Sequence, residues 1–396
     1  MDKQTCISLP EIILPVAGTD MTAWAVIACD QHTSDRAYWE KLDAFVGDKP
    51  STLRLILPEI YLAESEHRTA EIEKTMQDYR ARGIFRKLSP GFVYVERSTP
   101  YTAMRRGIVL AVDLEQYSYE KKSSAMIRAT EATILERIPP RLKIREGASL
   151  EFPHIMLLYD DPDGVVDACA RRQAGEVLYD FDLNMGGGHV RGKFIADCRP
   201  VLEAFSSVIK DGLLFMVGDG NHSLATAKAS WEKIKTQLSP REREVHPARY
   251  ALCEAVDLYD DGIAFEAIHR YVTGVDAQKF VRGIPFSGSG KGALCVGGAT
   301  RPLALPSDVA DAVAETDAYI SSYIAENGGE VDYVHGDDAL IDLTRREDSV
   351  GILLPKMDKS ALFPAVKRGG SLPRKTFSMG ESEEKRYYIE GKEIKS

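Results

Sequence analysis

The chain has 396 residues, 44% hydrophobic and 28% charged, which is enough apolar material for a large core and a length that suits two domains or one with an appendage. Its formal net charge of −10 argues against a broad nucleic-acid face, since phosphate backbones are held by clustered Lys and Arg, but leaves room for a local basic pocket. The cysteines Cys6, Cys29, Cys169, Cys198, Cys253 and Cys295 form no C-x-x-C pair and read as free thiols in a reducing compartment. The first twelve residues lack the apolar stretch of a signal peptide, and no apolar run approaches the ~18 residues of a membrane span. The expectation is a cytoplasmic protein with no membrane partner.

In chain order, Trp24–Ala28 reads as a buried strand ending in the polar run Cys29–Asp35. Ser34 or Asp35 is placed to cap a helix at Arg36–Phe45, where Tyr38, Trp39, Leu42 and Phe45 recur at helical spacing. A second helix is expected from Ser65 to about Arg82, stopped by Gly83. Phe92–Glu96 and Gly107–Asp113 read as strands. A charged segment follows from Lys121 to Arg145, then a short apolar run, His154–Tyr159. Val177–Leu183 and His189–Ala196 flank Gly186–Gly188 as a hairpin, and Pro200–Ile209 reads as a helix. The apolar strand Leu213–Val217 runs through Gly218-Asp219-Gly220-Asn221-His222-Ser223 into an Ala-rich helix from about Leu224 to Lys235. Ala248–Asp257 is a further strand. Residues 284–304 are rich in Gly, Ser and Ala, with Ser287–Lys291 read as a flexible linker. Beyond them helices near 310–326, 337–345 and 360–366 alternate with strands near 331–335 and 350–354. A boundary near residue 272 divides a core, 1–272, from a smaller C-terminal α/β subdomain, 273–396.

Three constellations bear chemistry. At 213–235 a strand turns directly into a helix whose first N–H groups and partial positive charge attract anions. Gly218 and Gly220 allow a sharp turn and close approach of a ligand. Asp219 is suited to a metal or a hydroxyl, and His222 to a phosphate or to acid–base work. The structural alternative is a tight turn capped by Asn221 or Ser223. No Gly-Lys-Ser/Thr follows, so this is not a Walker loop. The second constellation is Arg128-Ala129-Thr130-Glu131 with Arg137, Arg141, Lys143 and Arg145. Arg suits bidentate capture of anions, and a helical reading puts Arg128 and Glu131 on one face, where a solvated ion pair is the plain alternative. The third is Cys29–Asp35, at the end of a predicted strand, with helix capping as its alternative. The histidines show no metal-ligand spacing such as H-E-x-x-H.

Taken in order, several elements resemble the family catalogued as domain of unknown function 1015. They are Arg105-Arg106-Gly107-Ile108-Val109, Arg128-Ala129-Thr130-Glu131, Leu157–Pro162, Gly218–Ser223, Phe265–Arg270 and Leu372–Phe377. The element at 218–223 stands where that family reads Asp-Gly-His-His-Arg. This element is similar to one in the ParB/sulfiredoxin-like superfamily, which includes nucleotide-binding ParB proteins, sulfiredoxins and free-serine kinases. The resemblance implies a mixed α/β fold, a ParB/sulfiredoxin-like core with a mixed sheet and flanking helices. It also implies a small-molecule ligand, ATP or ADP with Mg2+, and phosphoryl transfer to a small hydroxylated metabolite. By position, Asp219, His222 and Glu131 become the catalytic candidates, and Gly218, Gly220, Asn221, Ser223 and Arg128 the nucleotide-binding ones. Asn221 and Ser223 depart from the family's His and Arg. Losing the Arg removes a fixed charge that Arg128, Arg141 or Lys193 would have to supply, and it keeps open a non-catalytic nucleotide- or metabolite-binding regulator.

Overall fold

The β-branched and aromatic runs pair into one large mixed sheet. The computed structural model describes residues 5–131 and 138–395. The sheet's strands are β1 (Ile7–Ser8), β2 (Phe92–Ser98), β3 (Arg105–Asp113), β4 (Tyr117–Ser118), β5 (Ile127–Ala129), β6 (Met156–Tyr159), β7 (Val177–Asp182), β8 (His189–Ile195), β9 (Phe215–Asp219) and β10 (Tyr250–Asp257). Their order is β7-β8-β2-β3-β10-β6-β9-β5-β4, with β1 added along β3. The strand β6 runs antiparallel to β9 and parallel to β10, and β9 runs parallel to β5.

Alternation along these strands builds a core on each face. On one face Phe92, Tyr94, Leu110, Leu157, Phe215 and Val217 pack against α4 (Val165–Gln173), α5 (Arg199–Ser207) and α6 (Asn221–Ile234) through Val166, Phe205, Leu224 and Trp231. On the other, Val93, Val95, Val109 and Leu252 meet α1 (Arg36–Val46), α2 (Ser65–Ala81) and the N-terminal segment through Trp39, Ile72 and Trp24. A further helix, α3 (Ile138–Gly147), sets Ile138 and Leu142 on Ala225 of α6. No helix of the described residues is long and apolar enough to cross a membrane.

The chain forms two compact units, one of residues up to Ile263 together with Glu381 onward, the other of Ala264–Gly380. Buried arginines hold the returning segment. The Arg97 guanidinium donates to the carbonyls of Glu384 and Lys385, and Arg105 to that of Glu384. Arg386, itself buried, lies 2.7 Å from Glu254 and 2.8 Å from Glu390. Tyr387–Tyr388 then pairs with Val26–Ile27.

The second unit has its own mixture of sheet and helix. Its strands are β11 (Phe265–Thr273), β12 (Gly290–Val296), β13 (Ala299–Leu305), β14 (Glu330–His335), β15 (Ser349–Leu353) and β16 (Phe377–Met379). Their order is β13-β12-β15-β11-β14, with β16 beside β11. Helix α7 (Val309–Asn327) packs Val313 and Ile320 against Val272, Leu294 and Ile352.

Three local expectations change. Asp20 accepts the Ala23 amide and caps one helical turn, Met21–Trp24, so the strand there shrinks to Val26–Ile27. The linker expected at Ser287–Lys291 runs into the β12–β13 hairpin from Gly290 onward, because Leu294 and Leu305 reach the second unit's core. Arg128 lies on a strand instead of a helix, since β5 pairs in register with β9 from Ile127↔Phe215 to Ala129↔Val217. Arg137 lies outside the described residues.

Candidate functional site

The turn after β9 has the geometry its sequence suggests, with one adjustment. Gly218 is still inside β9, and the sharp change of direction falls on Gly220 alone, at φ +77°. A Cβ on Gly220 would stand 3.0 Å from the Ile155 Cα, so both the left-handed backbone and the close approach require glycine here. Gly220 is the N-cap of α6, and the helix begins without a side-chain cap. Neither Asn221 nor Ser223 takes that role. Asp219 accepts from the Gly220 amide at 2.8 Å and faces Lys385 Nζ at 3.7 Å.

The Arg-Ala-Thr element flanks this turn. The Thr130 hydroxyl donates to the Val217 carbonyl at 2.6 Å, and the Asn221 amide donates to Thr130 at 3.4 Å. Arg128, two residues earlier, donates through Nε to the Ala125 carbonyl, and Glu131 follows Thr130 directly. Lys193 is instead engaged with Glu96 across β8 and β2, so it is not placed to replace the family's Arg.

The hub of the site is a residue that the sequence shows only as the start of a short apolar run. His154 is buried just ahead of β6. Its Nε2 lies 3.4 Å from Asp30 Oδ2 and 3.4 Å from Ser223 Oγ, and its Nδ1 is 2.7 Å from the Tyr388 hydroxyl. That same hydroxyl accepts the Cys29 amide at 3.0 Å. Asp30, Ser223 and the returning C-terminal segment, all distant in sequence, thus meet at one imidazole. A Ser–His–Asp hydrolase needs its carboxylate on the nitrogen opposite the hydroxyl. Here Ser223 and Asp30 share Nε2, so the arrangement is not that triad.

Charges at the site are mutually tuned. Burial by itself would lower the His154 pKa, but the Asp30 charge and hydrogen bond, with Asp219 and Glu59 behind them, raise it above its ordinary value. Burial would likewise raise Asp30, yet the His154 charge, with Gln31 and Lys385, holds its carboxyl well below the usual range. Burial and the Asp30 charge push the Cys29 thiol up to about 12. It is therefore protonated at neutral pH, and His32 does not pair with it, stacking on Tyr38 at 3.7 Å between ring centres.

A cavity of about 160 Å3 adjoins the turn at Ser223 and Thr226, with His154, Cys29, Tyr388 and the Arg141–Glu59 ion pair at its polar end. Arg141 brings a cation to the cavity bordered by Ser223. Among the described residues no three His, Cys, Asp or Glu side chains converge as a metal cage.

The family model described as a protein of unknown function, DUF1015, matches residues 13–285. This chain belongs to the DUF1015 family. No curated protein matches it. Solved structures similar to this DUF1015 chain include a free serine kinase variant in complex with ADP, at 12% identity over 72% of this chain and 92% of that one, TM-score 0.41. A C-terminally truncated SbnI from Staphylococcus aureus matches at 10% identity over 69% and 82%, TM-score 0.37. A conserved hypothetical protein from Pyrococcus furiosus matches at 12% over 72% and 95%, TM-score 0.37.

His154, Tyr388 and Lys385 escaped the sequence reading for one reason. Each owes its place to long-range pairing, His154 to the approach of Ile155 to Gly220, and the other two to the buried arginines that fix the C-terminal segment. A histidine behind proline at the edge of an apolar run, Pro153-His154, was the available signal.

Proposed function

We propose that the first unit binds a nucleotide through its phosphates at the Asp219–Ser223 turn and transfers a phosphoryl group to a small hydroxylated molecule. The observation that carries this reading is the side-chain-uncapped start of α6, pressed through Gly220 onto Ile155 and opening beside the His154–Asp30 pair. First-turn amides and the helix dipole favour an anion there. Asn221 and Ser223 leave the turn without the family's Arg, and Lys385, released from Asp219 when that carboxylate holds Mg2+, provides a nearby cation instead. The Asp219 carboxylate suits Mg2+, which is ordinarily held by one or two carboxylates plus substrate phosphates and needs no protein cage. Mg2+ bound there would neutralise phosphate charge.

In this reading the acceptor hydroxyl oxygen bonds to the γ-phosphorus and the β–γ bridging P–O bond breaks. The electron pair leaves with the nucleoside diphosphate, and the acceptor's proton passes to the Asp30–His154 pair. The chain's work is positioning and charge compensation. Asp219, His222 and Glu131 remain the candidates beside the phosphates, with Gly218, Gly220, Asn221, Ser223 and Arg128 lining their approach.

The test is a thermal shift with ATP, ADP and CTP, with and without Mg2+, followed by nucleotide turnover. A ligand at 100 times its Kd adds about 2.7 kcal/mol of stability. No shift with any nucleotide contradicts the reading. A shift without turnover across hydroxylated acceptors favours the second reading, a nucleotide- or metabolite-binding regulator, for which the Asn221 and Ser223 departures speak.

A further inference from the structure

The cavity beside Ser223 is chemically lopsided. Its walls are mainly Leu57, Leu62, Met76, Ile144 and Phe152, interrupted by the Arg145–Glu151 ion pair, and its polar end is His154, Ser223, Tyr388 and the Arg141–Glu59 pair. Its volume of about 160 Å3 is close to that of an enclosed apolar cavity of about 150 Å3 that accepts benzene. Each cation lining or near the cavity already faces a carboxylate: Arg141 with Glu59, Arg145 with Glu151, His154 with Asp30, and Lys385 with Asp219. A carboxylate or ammonium on the ligand would therefore find no uncompensated charge there. A neutral hydroxyl finds hydrogen-bonding partners in the Ser223 hydroxyl and the edge of the His154 imidazole.

From this we infer that the acceptor is a compact apolar alcohol, with one ring or a branched chain of about that size, and not an amino acid or a sugar. The apolar body occupies the cavity, and the hydroxyl points to His154 and the turn. Serine or glycerol would leave the aliphatic walls facing water or void. The inference rests on the phosphoryl-transfer reading for the fate of the hydroxyl, while binding of the alcohol can be measured without nucleotide.

The experiment is calorimetric titration of the full chain with benzyl alcohol and 3-methylbutan-1-ol, against glycerol, serine and benzoate. The same titrations are run on Ile144→Trp, which fills the cavity from α3, and on Leu62→Trp, which fills it from another wall should the first variant fold poorly. MgADP is titrated separately. The expected result is saturable binding of the two alcohols, at least tenfold tighter than of glycerol, serine or benzoate. A well-folded Trp variant should weaken that binding at least tenfold and leave MgADP affinity unchanged. Alcohol binding without MgADP binding sustains the cavity assignment and sinks the nucleotide reading. Tighter binding of serine, glycerol or benzoate, no saturable binding of either alcohol, or alcohol affinity untouched in a folded Trp variant overturns the assignment.

Discussion

His154 Nε2 stands 3.4 Å from Asp30 Oδ2, with Tyr388 closing the other side of the ring at 2.7 Å. This pair joins the segment after the Val26–Ile27 strand to the approach to β6, and each partner shifts the other's protonation. His154 is raised above its ordinary 6.5, so its contribution to stability is full below about pH 6.5 and fades as pH rises through the raised value. Asp30 is held below its ordinary 3.8, so its contribution is present above that pH and is lost only as pH falls through the lowered value. Asp30→Asn should therefore flatten the alkaline fall in stability that begins above pH 6.5. It should cost about 1–3 kcal/mol at pH 6. Urea unfolding of both proteins from pH 5 to 9 checks this, and parallel pH profiles would remove the pair from the account.

Tyr388→Phe removes the hydroxyl that holds His154 Nδ1 and accepts the Cys29 amide. The ring stays packed, so the loss is of hydrogen bonds alone, about 1–3 kcal/mol for the buried groups left behind. The His154 side chain loses its orientation, and turnover should fall more than nucleotide affinity does. Denaturant unfolding and a kcat-against-KM comparison measure the two effects.

Gly220→Ala places a methyl 3.0 Å from the Ile155 Cα in a left-handed backbone. Strain of about 1–2 kcal/mol is expected from the backbone alone, and relief by shifting the turn would displace the start of α6. Nucleotide affinity should drop with stability. Gly164→Ala serves as a comparison, since Gly164 shares the positive φ with open space around it. It should lose stability without losing affinity.

Arg386→Met leaves Glu390 buried without its guanidinium partner and Glu254 facing Arg105 at 3.9 Å. The expected cost is about 3–5 kcal/mol. Because the same segment carries Lys385 and Tyr388, ligand binding should weaken beyond what reduced stability explains. Calorimetry and binding on the same preparation separate the two.

Much of the scaffold was legible locally. Asp35 caps α1 by accepting the Tyr38 amide, and Gly83 ends α2 at φ +66°, both as their residue types require. The turn at 219–223 was legible too, because a strand, two glycines and an Ala-rich helix leave few alternatives. The strand at Arg128 was hidden because its neighbours offer no alternation strong enough to reveal that β9 claims the segment as a partner. The 290–305 hairpin was hidden by its glycines and its exposed outer strand, with only residues such as Leu294 and Leu305 reaching a core. His154 and Tyr388 were illegible because no residue near either one announces the other; only the fold brings them to 2.7 Å.

The measurement closest to the central claim is calorimetric titration of MgADP into the intact protein and into Asp219→Ala and Gly220→Ala. The account predicts one saturable site in the wild type, with affinity reduced at least tenfold in both variants while each remains folded. Absence of saturable binding to the wild type, or equal affinity in a folded Asp219→Ala protein, would contradict it.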